Sequence, residues 1–249
     1  MNNKKETFLD DLIQQITLND ILNKISNASN KREYTMFQLL KAYKLESTNK
    51  KNSEVLAVIP DNVLRFEGFK KYSKRLSSSL EYNLEYFPRS YVEYNTLYRQ
   101  LVCEAIIVNK TQKSNMYGFL KRNDRKLKCE YSLVGGHMNS TDTCLFGCLI
   151  REQTEELAHI SFEDSKICPL GFIRLDKPEI SKQHLGVIYV IETPSVQITA
   201  REEGNSFIWL PEKEVKKYLG MSILDSPFDS WTHIGLTEYF NNIHKKSYR

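Results

Sequence analysis

The apolar positions of the first 45 residues recur at the three- and four-residue spacing of amphipathic helices. Two such runs, FLDDLIQQITLNDILNKI and YTMFQLLKAYKL, are separated by the polar stretch SNASNKRE. The next residues, ESTNKKNSE, have the composition of a linker. The pattern therefore predicts a small helical appendage over 1–45, a linker over 46–54 and a main domain over 55–249.

Strand patterns dominate after residue 54 and mix irregularly with helical ones. Apolar runs predict strands at EVLAVIP, YRQLVCEAIIVNK, both halves of MYGFLKRNDRKLKCEYSLVGGH, CPLGFIRL, HLGVIYVIET and SFIWL. Helices are predicted over 142–158, from Pro211 onward and over roughly 228–246, whereas 68–86 fits either a helix or an irregular segment. This irregular mixing favours an α+β fold, with a mixed β-sheet sandwiched between helices, over a strictly alternating α/β fold.

The composition narrows the class of protein. The chain has 249 residues, of which 41% are hydrophobic, enough for a sizeable core, and its net charge of +4 is too small to indicate nucleic-acid binding. Its apolar runs fall short of the ~18 residues of a membrane span, and the first residues lack the apolar stretch of a secretory signal. The odd number of cysteines, five, without a C-x-x-C pair, predicts reduced thiols and a cytoplasmic location.

Acidic residues cluster in REQTEEL, directly after the uncharged run TCLFGCLI. In a helix, Glu152, Glu155 and Glu156 share one face, with Cβ atoms about 5–6 Å apart. Three carboxylates at this spacing repel one another, and a divalent Mg²⁺ or Mn²⁺ ion removes that penalty because hard cations prefer oxygen ligands. The structural alternative is a solvated acidic helix end, which opposes the helix dipole. Arg151 is placed to orient or neutralise one of the carboxylates.

The stretch SLVGGHMNS precedes this helix and completes the pattern. A predicted strand enters Gly135-Gly136, where the backbone can take conformations closed to other residues. A loop then leads to the helix, with Thr141 or Asp142 as its predicted N-cap. A strand, a glycine turn, a loop and an acidic helix in this order are typical of a site for a metal ion and a pyrophosphate.

The stretch GGHMNSTDTCLFGCLIREQTEELA, residues 135–158, resembles the Nudix box of the Nudix hydrolases. The family's Arg-Glu-x-x-Glu-Glu core, its glycine and its first acid are matched by Arg151, Glu152, Glu155, Glu156, Gly136 and Asp142. One extra residue lies between Asp142 and Arg151, which shifts the register of the loop and leaves the role of Asp142 open. Ala158 replaces the closing glycine.

The resemblance extends beyond the box. REEGNSFIWLPEKEV resembles the family's acidic loop followed by a tryptophan, in which a glutamate supplies a metal ligand or the catalytic base. Glu203, six residues before Trp209, is the best match, and Glu202 is the second choice. Other segments resemble a bacterial branch of predicted Nudix phosphoesterases. The resemblance covers roughly residues 55–220 and leaves the appendage outside.

This resemblance implies a metal-dependent hydrolase with a Nudix-like fold that uses water to cleave a pyrophosphate linkage. The implied substrate is a nucleoside diphosphate derivative or a nucleoside triphosphate, including non-standard and signalling nucleotides. It implies Mg²⁺ or Mn²⁺ on Glu152, Glu155, Glu156 and Gly136, with Arg151 and Glu203 as further catalytic residues. Predicted substrate-binding residues are Arg89, Lys121, Arg122 and His137, although a solvated hairpin tip and a structural histidine are the simpler interpretations for the last three.

The rival hypothesis is a nucleotide-sensing or scaffolding module that kept the fold and lost turnover. Its output surface would be the appendage, which is also compatible with a homodimer. The intact spacing of the three glutamates favours the enzyme. The shifted register and Ala158 favour the rival.

Overall fold

The computed structural model describes residues 54–93, 95–110, 114–121, 129–177, 179–201 and 205–247. The chain divides into two compact units, Met1–Val55 with Phe87–Tyr94, and Leu56–Tyr86 with Asn95–Arg249. The predicted appendage over 1–45 lies outside the described residues, as does the linker apart from Glu54. The hydrophobic pattern gave no sign that residues 87–94 group with the first unit.

The predicted strands are present in the expected order, together with four short strands that the pattern did not predict. They are β1 (Val55–Pro60), β2 (Gly68–Lys71), β3 (Glu85–Pro88), β4 (Tyr98–Lys110), β5 (Asn115–Lys121), β6 (Tyr131–Ser132), β7 (Val134–His137), β8 (Leu157–Ala158), β9 (Lys166–Arg174), β10 (His184–Glu192), β11 (Thr199–Ala200) and β12 (Ser206–Pro211). The helices are α1 (Lys74–Tyr82), α2 (Arg89–Val92), α3 (Leu145–Glu156), α4 (Glu179–Lys182), α5 (Glu212–Leu219) and α6 (Ser230–Ser247). The segment 68–86 therefore contains β2, α1 and the start of β3.

The main sheet is mixed and runs in the order β12-β5-β4-β10-β9-β2. Its two central strands, β4 and β10, are parallel over nine residue pairs, and the other neighbours along this order are antiparallel. The 13-residue β4 pairs with β5 over Ile107–Lys110 and with β7 over Val102–Ala105, both antiparallel. The two partner strands therefore occupy different stretches of the same edge of β4, and β7 places Gly135 beside Glu104 and Gly136 beside Cys103.

Alternate residues of the central strands enter two different hydrophobic clusters, as expected when successive side chains point to opposite faces. One face of β4 packs with α3, and this cluster includes Leu101, Cys103, Ala105, Ile107, Leu145, Cys148 and Leu149. The other face packs with α5 and α6, and this cluster includes Val102, Ile106, Val108, Val215, Trp231, Leu236 and Phe240. The predicted α+β class, a mixed sheet sandwiched between helices, is confirmed.

The docking of α6 depends on a missing side chain in β10. A Cβ on Gly186 would lie 2.7 Å from Cζ3 of Trp231, so the glycine lets the indole lie directly on the strand. Asp229 precedes the helix and accepts hydrogen bonds from the backbone N–H groups of Trp231 (2.8 Å) and Thr232 (2.9 Å), which satisfies amides at the helix start. Within the described segments, no helix has both the length and the apolarity needed to cross a bilayer.

Candidate functional site

The acidic helix α3 begins later than the sequence pattern predicts. Its N-cap is Cys144, whose sulfur accepts a hydrogen bond from the N–H of Gly147 at 3.4 Å. The predicted N-caps Thr141 and Asp142 are therefore wrong. The reason is that the Asp142 carboxylate accepts from the Asn139 N–H and from Arg151 instead, and so is not available to cap the helix.

The inward side of α3 fixes the helix rigidly against the sheet. Leu145, Cys148, Leu149 and Gln153 are buried there. Gln153 is fully buried, and its Nε2 donates to the carbonyl oxygen of Val134 at 2.8 Å. This side chain hydrogen bond ties the middle of α3 to β7, directly before the two glycines. Sequence reasoning missed Gln153, although a polar residue on the inward face of a buried helix is a signal for such a bond.

Two of the three glutamates lie against β7. Glu156 Oε2 accepts a hydrogen bond from the N–H of Gly135 at 3.1 Å. The carboxyl group of Glu152 lies over Gly136, where an added Cβ would be 2.6 Å from Glu152 Cδ and closer still to its Oε2. Glu155 is different, because 59% of its side chain is exposed, against 12% for Glu152. The strand thus positions Glu152 and Glu156, and Glu155 faces solvent.

Arg151 joins the loop to the helix. Its Nε and Nη2 donate to the two Asp142 oxygens at 2.9 and 2.8 Å, and Nη2 also donates to the carbonyl oxygen of His137 at 2.8 Å. Its Nη1 donates to Glu152 Oε1 at 2.7 Å and to Glu155 Oε2 at 3.0 Å. The extra residue in the loop therefore does not remove Asp142 from the site. Asp142 is the side chain that holds the Arg151 guanidinium in place.

Burial and charge act differently on the carboxyl groups. Burial acts to raise the pKa of Asp142, but the hydrogen bonds from Arg151 and from the Asn139 N–H outweigh it and lower that pKa. Burial raises the pKa of Glu152, and the negative charges of Glu155 and Asp142 add to the shift against the opposing effect of Arg151. Arg151 alone thus does not offset the cost of a charged Glu152, and a further cation would favour its ionised form.

The oxygen donors suit a hard divalent cation, but their arrangement is not yet a closed coordination shell. Within the described residues, Glu152 Oε2 and Glu155 Oε1 accept no hydrogen bond, while the other oxygen of each binds Arg151. Also within those residues, no three His, Cys, Asp or Glu side chains already lie in a geometry that would hold a metal ion. Carboxylates around Gly136 fit Mg²⁺ or Mn²⁺ by ligand type, and closing the shell would require Glu155 to turn inward.

Two of the predicted phosphate-binding cations, Arg89 and Lys121, each form an ion pair with a carboxylate outside α3. Arg89 belongs to the first unit, where its guanidinium forms an ion pair with Glu54 at 2.9 Å. Lys121, at the end of β5, forms an ion pair with Glu130 at 2.7 Å. Arg122 lies outside the described residues, as do Glu203 and Glu202, the predicted sources of the catalytic base. Their roles stay predictions.

The imidazole of His137 lies on the sheet face that α6 covers. Its Nε2 is 3.1 Å from Nε2 of His184, and the rings of His184 and Trp231 form a T-shaped pair with a centroid distance of 6.2 Å. Successive strand residues point to opposite faces, so Gly136 faces α3 and His137 faces α6. The side chain that was predicted to contact substrate is therefore separated from Glu152 by the sheet, although its carbonyl oxygen binds Arg151.

Sequence reasoning also missed Arg201. Its backbone N–H donates to the carbonyl oxygen of Glu156 at 2.8 Å, and its side-chain Nε donates to the carbonyl oxygen of Leu157 at 2.7 Å. The ladder between β8 and β11 continues this contact. A signal was present, because Arg201 directly precedes the acidic pair that the resemblance singled out.

Of the comparisons with known proteins, the one with solved structures gives matches. No family model matches the chain, and no curated protein matches its sequence. Among solved structures, Tm1382, whose own assignment as a Nudix hydrolase is provisional, is 20% identical, with a TM-score of 0.61 over 76% of this chain and 99% of that one.

Two further solved structures give lower scores. The Nudix domain of Shewanella oneidensis NrtR, solved with ADP-ribose, is 15% identical over 58% of this chain and 88% of that one, with a TM-score of 0.47. A MutT/Nudix family protein from Enterococcus faecalis is 15% identical over 59% of this chain and 62% of that one, with a TM-score of 0.41. The likeness to Tm1382, together with the mixed sheet packed between α3 on one face and α5 and α6 on the other, establishes that the chain has the Nudix fold.

Proposed function

We propose that this protein is a metal-dependent hydrolase that cleaves a pyrophosphate linkage in a nucleoside diphosphate derivative or a nucleoside triphosphate, with water as the nucleophile. The observation that carries the proposal is the seating of Glu152 and Glu156 on Gly135-Gly136, with Glu155 beside them on the same helix. A fold by itself does not imply a function, so the proposal depends on these side chains.

The residues have distinct roles in the proposed reaction. Glu152, Glu155 and Glu156 would hold Mg²⁺ or Mn²⁺ together with the carbonyl oxygen of Gly136. When bound, such an ion polarises a phosphoryl oxygen and lowers the pKa of the attacking water. Arg151 orients Glu152 and Glu155 through its Nη1. Glu203, or one of the helix glutamates, would accept the proton of the water.

The proposed partner is a nucleotide, and the proposed location is the cytoplasm. All five cysteines are free thiols in the structure, which supports a reducing compartment. The small net charge supports a small-molecule substrate over nucleic acid. We further propose that residues 1–45 mediate the formation of a homodimer.

The test is release of phosphate or pyrophosphate from a panel of nucleotides in the presence of Mg²⁺ or Mn²⁺. Glu155→Gln and Glu156→Gln keep side-chain size and remove charge, and each should lower turnover by at least ~10²-fold if the residue holds the catalytic ion. Glu81→Gln, which changes an exposed glutamate of α1, is the matched control. Wild-type rates in both active-site variants would exclude the assignment.

A specific observation also favours the second candidate, a nucleotide-sensing or scaffolding module without turnover. Arg151 already neutralises one oxygen of Glu152 and one of Glu155, as an internal counter-ion would. Such a module would bind nucleotides with little dependence on divalent ions and would release no phosphate. Calorimetric titration of nucleotides with and without Mg²⁺, beside the turnover assay, separates the two.

A further inference from the structure

A pyrophosphate substrate meets an electrostatic problem at this site. Asp142, Glu152, Glu155 and Glu156 carry up to four negative charges, and Arg151 forms ion pairs with the first three of these residues. A bound divalent ion offsets part of this charge. The phosphate groups bring further negative charge, so a basic side chain beside the carboxylates would favour their binding.

Arg201 is anchored at the end of α3 that carries Glu155 and Glu156. Two bonds fix it there, one from its backbone N–H to the Glu156 carbonyl oxygen at 2.8 Å and one from its Nε to the Leu157 carbonyl oxygen at 2.7 Å. The residue is exposed. These bonds use one donor of the guanidinium, which has five N–H donors in a planar fork.

The bond to Leu157 leaves the Nη1 and Nη2 donors of the Arg201 guanidinium. Within the described part of the chain, its Nη1 and Nη2 donate no hydrogen bond, and no carboxylate lies within ion-pair distance of them. By contrast, Lys121 forms an ion pair with Glu130 and Arg89 forms one with Glu54. Arg201 is thus anchored by its backbone and its Nε to the end of α3 that carries Glu155 and Glu156, and its side chain is exposed.

We infer that Arg201 is a substrate-binding residue that takes a phosphate group of the nucleotide next to the metal-binding glutamates, through the Nη1 and Nη2 side of its guanidinium. This inference rests on the proposed function. Two parallel N–H donors match two phosphate oxygens, a geometry that lysine does not reproduce. The simpler interpretation is that Arg201 only caps carbonyl groups at the helix C-terminus, which would affect stability and not phosphate affinity.

The experiment is calorimetric titration of inorganic pyrophosphate and of the non-hydrolysable α,β-methylene-ADP into the full chain with Mg²⁺. The variants are Arg201→Ala, Arg201→Gln and Arg201→Lys. Glutamine removes the charge and keeps an amide donor for the Leu157 carbonyl oxygen, so it serves if alanine impairs folding. Lys213→Ala removes an exposed cation of α5 and is the charge-matched control.

Arg201→Gln is expected to weaken binding of both ligands by about 10- to 100-fold, the range for losing hydrogen bonds to a charged group. The affinity of Arg201→Lys for both ligands should lie between those of the wild type and of Arg201→Gln. Lys213→Ala should bind them like the wild type. Wild-type affinity in Arg201→Gln, or an equal loss in Lys213→Ala, would overturn the inference while the proposed function stands. If the wild type neither binds these ligands nor releases phosphate from the nucleotide panel, both are overturned.

Discussion

Replacing Gly136 with alanine would separate the proposed catalytic geometry from the stability of the fold. The new Cβ would lie 2.6 Å from Cδ of Glu152, whereas ordinary contact begins near 3.4 Å. The Glu152 carboxyl group would therefore retreat by about 1 Å and strain its hydrogen bond with Arg151. The backbone of Gly136 is not in the left-handed region, so alanine is tolerated there.

If Glu152 holds the catalytic ion as proposed, a displacement of this size should lower turnover by about 10²-fold. The free energy of unfolding should change by less than about 1 kcal/mol, because the group that moves is the end of a flexible side chain. The measurements are steady-state turnover on the best substrate of the panel, Mn²⁺ affinity by calorimetry, and urea unfolding. We expect loss of turnover and weaker Mn²⁺ binding together.

Gly147→Ala is the matched control for this prediction. Its added Cβ would meet Thr143 Oγ1 at 3.5 Å, an ordinary contact, and alanine inside a helix is favoured over glycine by about 0.5–1 kcal/mol. Activity should therefore be unchanged and stability equal or higher. If Gly136→Ala kept wild-type turnover and wild-type Mn²⁺ affinity, the Glu152 carboxylate would not belong to the site, and the reasoning would be refuted.

Three further predictions concern the ion pair between Asp142 and Arg151, the contact between Gly186 and Trp231, and the metal dependence of turnover. Asp142→Asn should lower the free energy of unfolding at pH 7 by about 1.5–3 kcal/mol. Because folding lowers the pKa of Asp142 below 3.8, the stability difference between wild type and variant should be complete above that pH and should shrink as the pH falls through the folded-state pKa. A stability difference that urea titrations find to be independent of pH would contradict this. Gly186→Ala should cost about 1–3 kcal/mol by pushing the rigid indole of Trp231 away, with a change in near-ultraviolet circular dichroism; an unchanged spectrum and midpoint would argue against the contact. Chelation by EDTA should abolish turnover and added Mg²⁺ should restore it; a chelator-resistant rate would exclude metal dependence.

Local periodicity was enough to place most elements of the fold. The strand predicted over 98–110 coincides with β4, and the helix predicted over 142–158 contains α3. These predictions succeed because a buried strand and an amphipathic helix depend on neighbouring residues. The spacing of Glu152, Glu155 and Glu156 is likewise a local property, so the sequence determined that these carboxylates share one helix.

Only the tertiary structure decided which groups surround those carboxylates. Gly135 and Glu156 are 21 residues apart, and their bond depends on how β7 pairs with β4 and how α3 lies on the sheet. The hydrogen bond from Arg201 to Leu157 likewise joins residues that are 44 apart in the chain. The ring of His137 lies on the opposite face of the sheet from Glu152 because successive residues of β7 point to opposite faces. Strand register and helix docking are set by the packing of the whole core and are not encoded in a local pattern. They decide which side chains meet at the site.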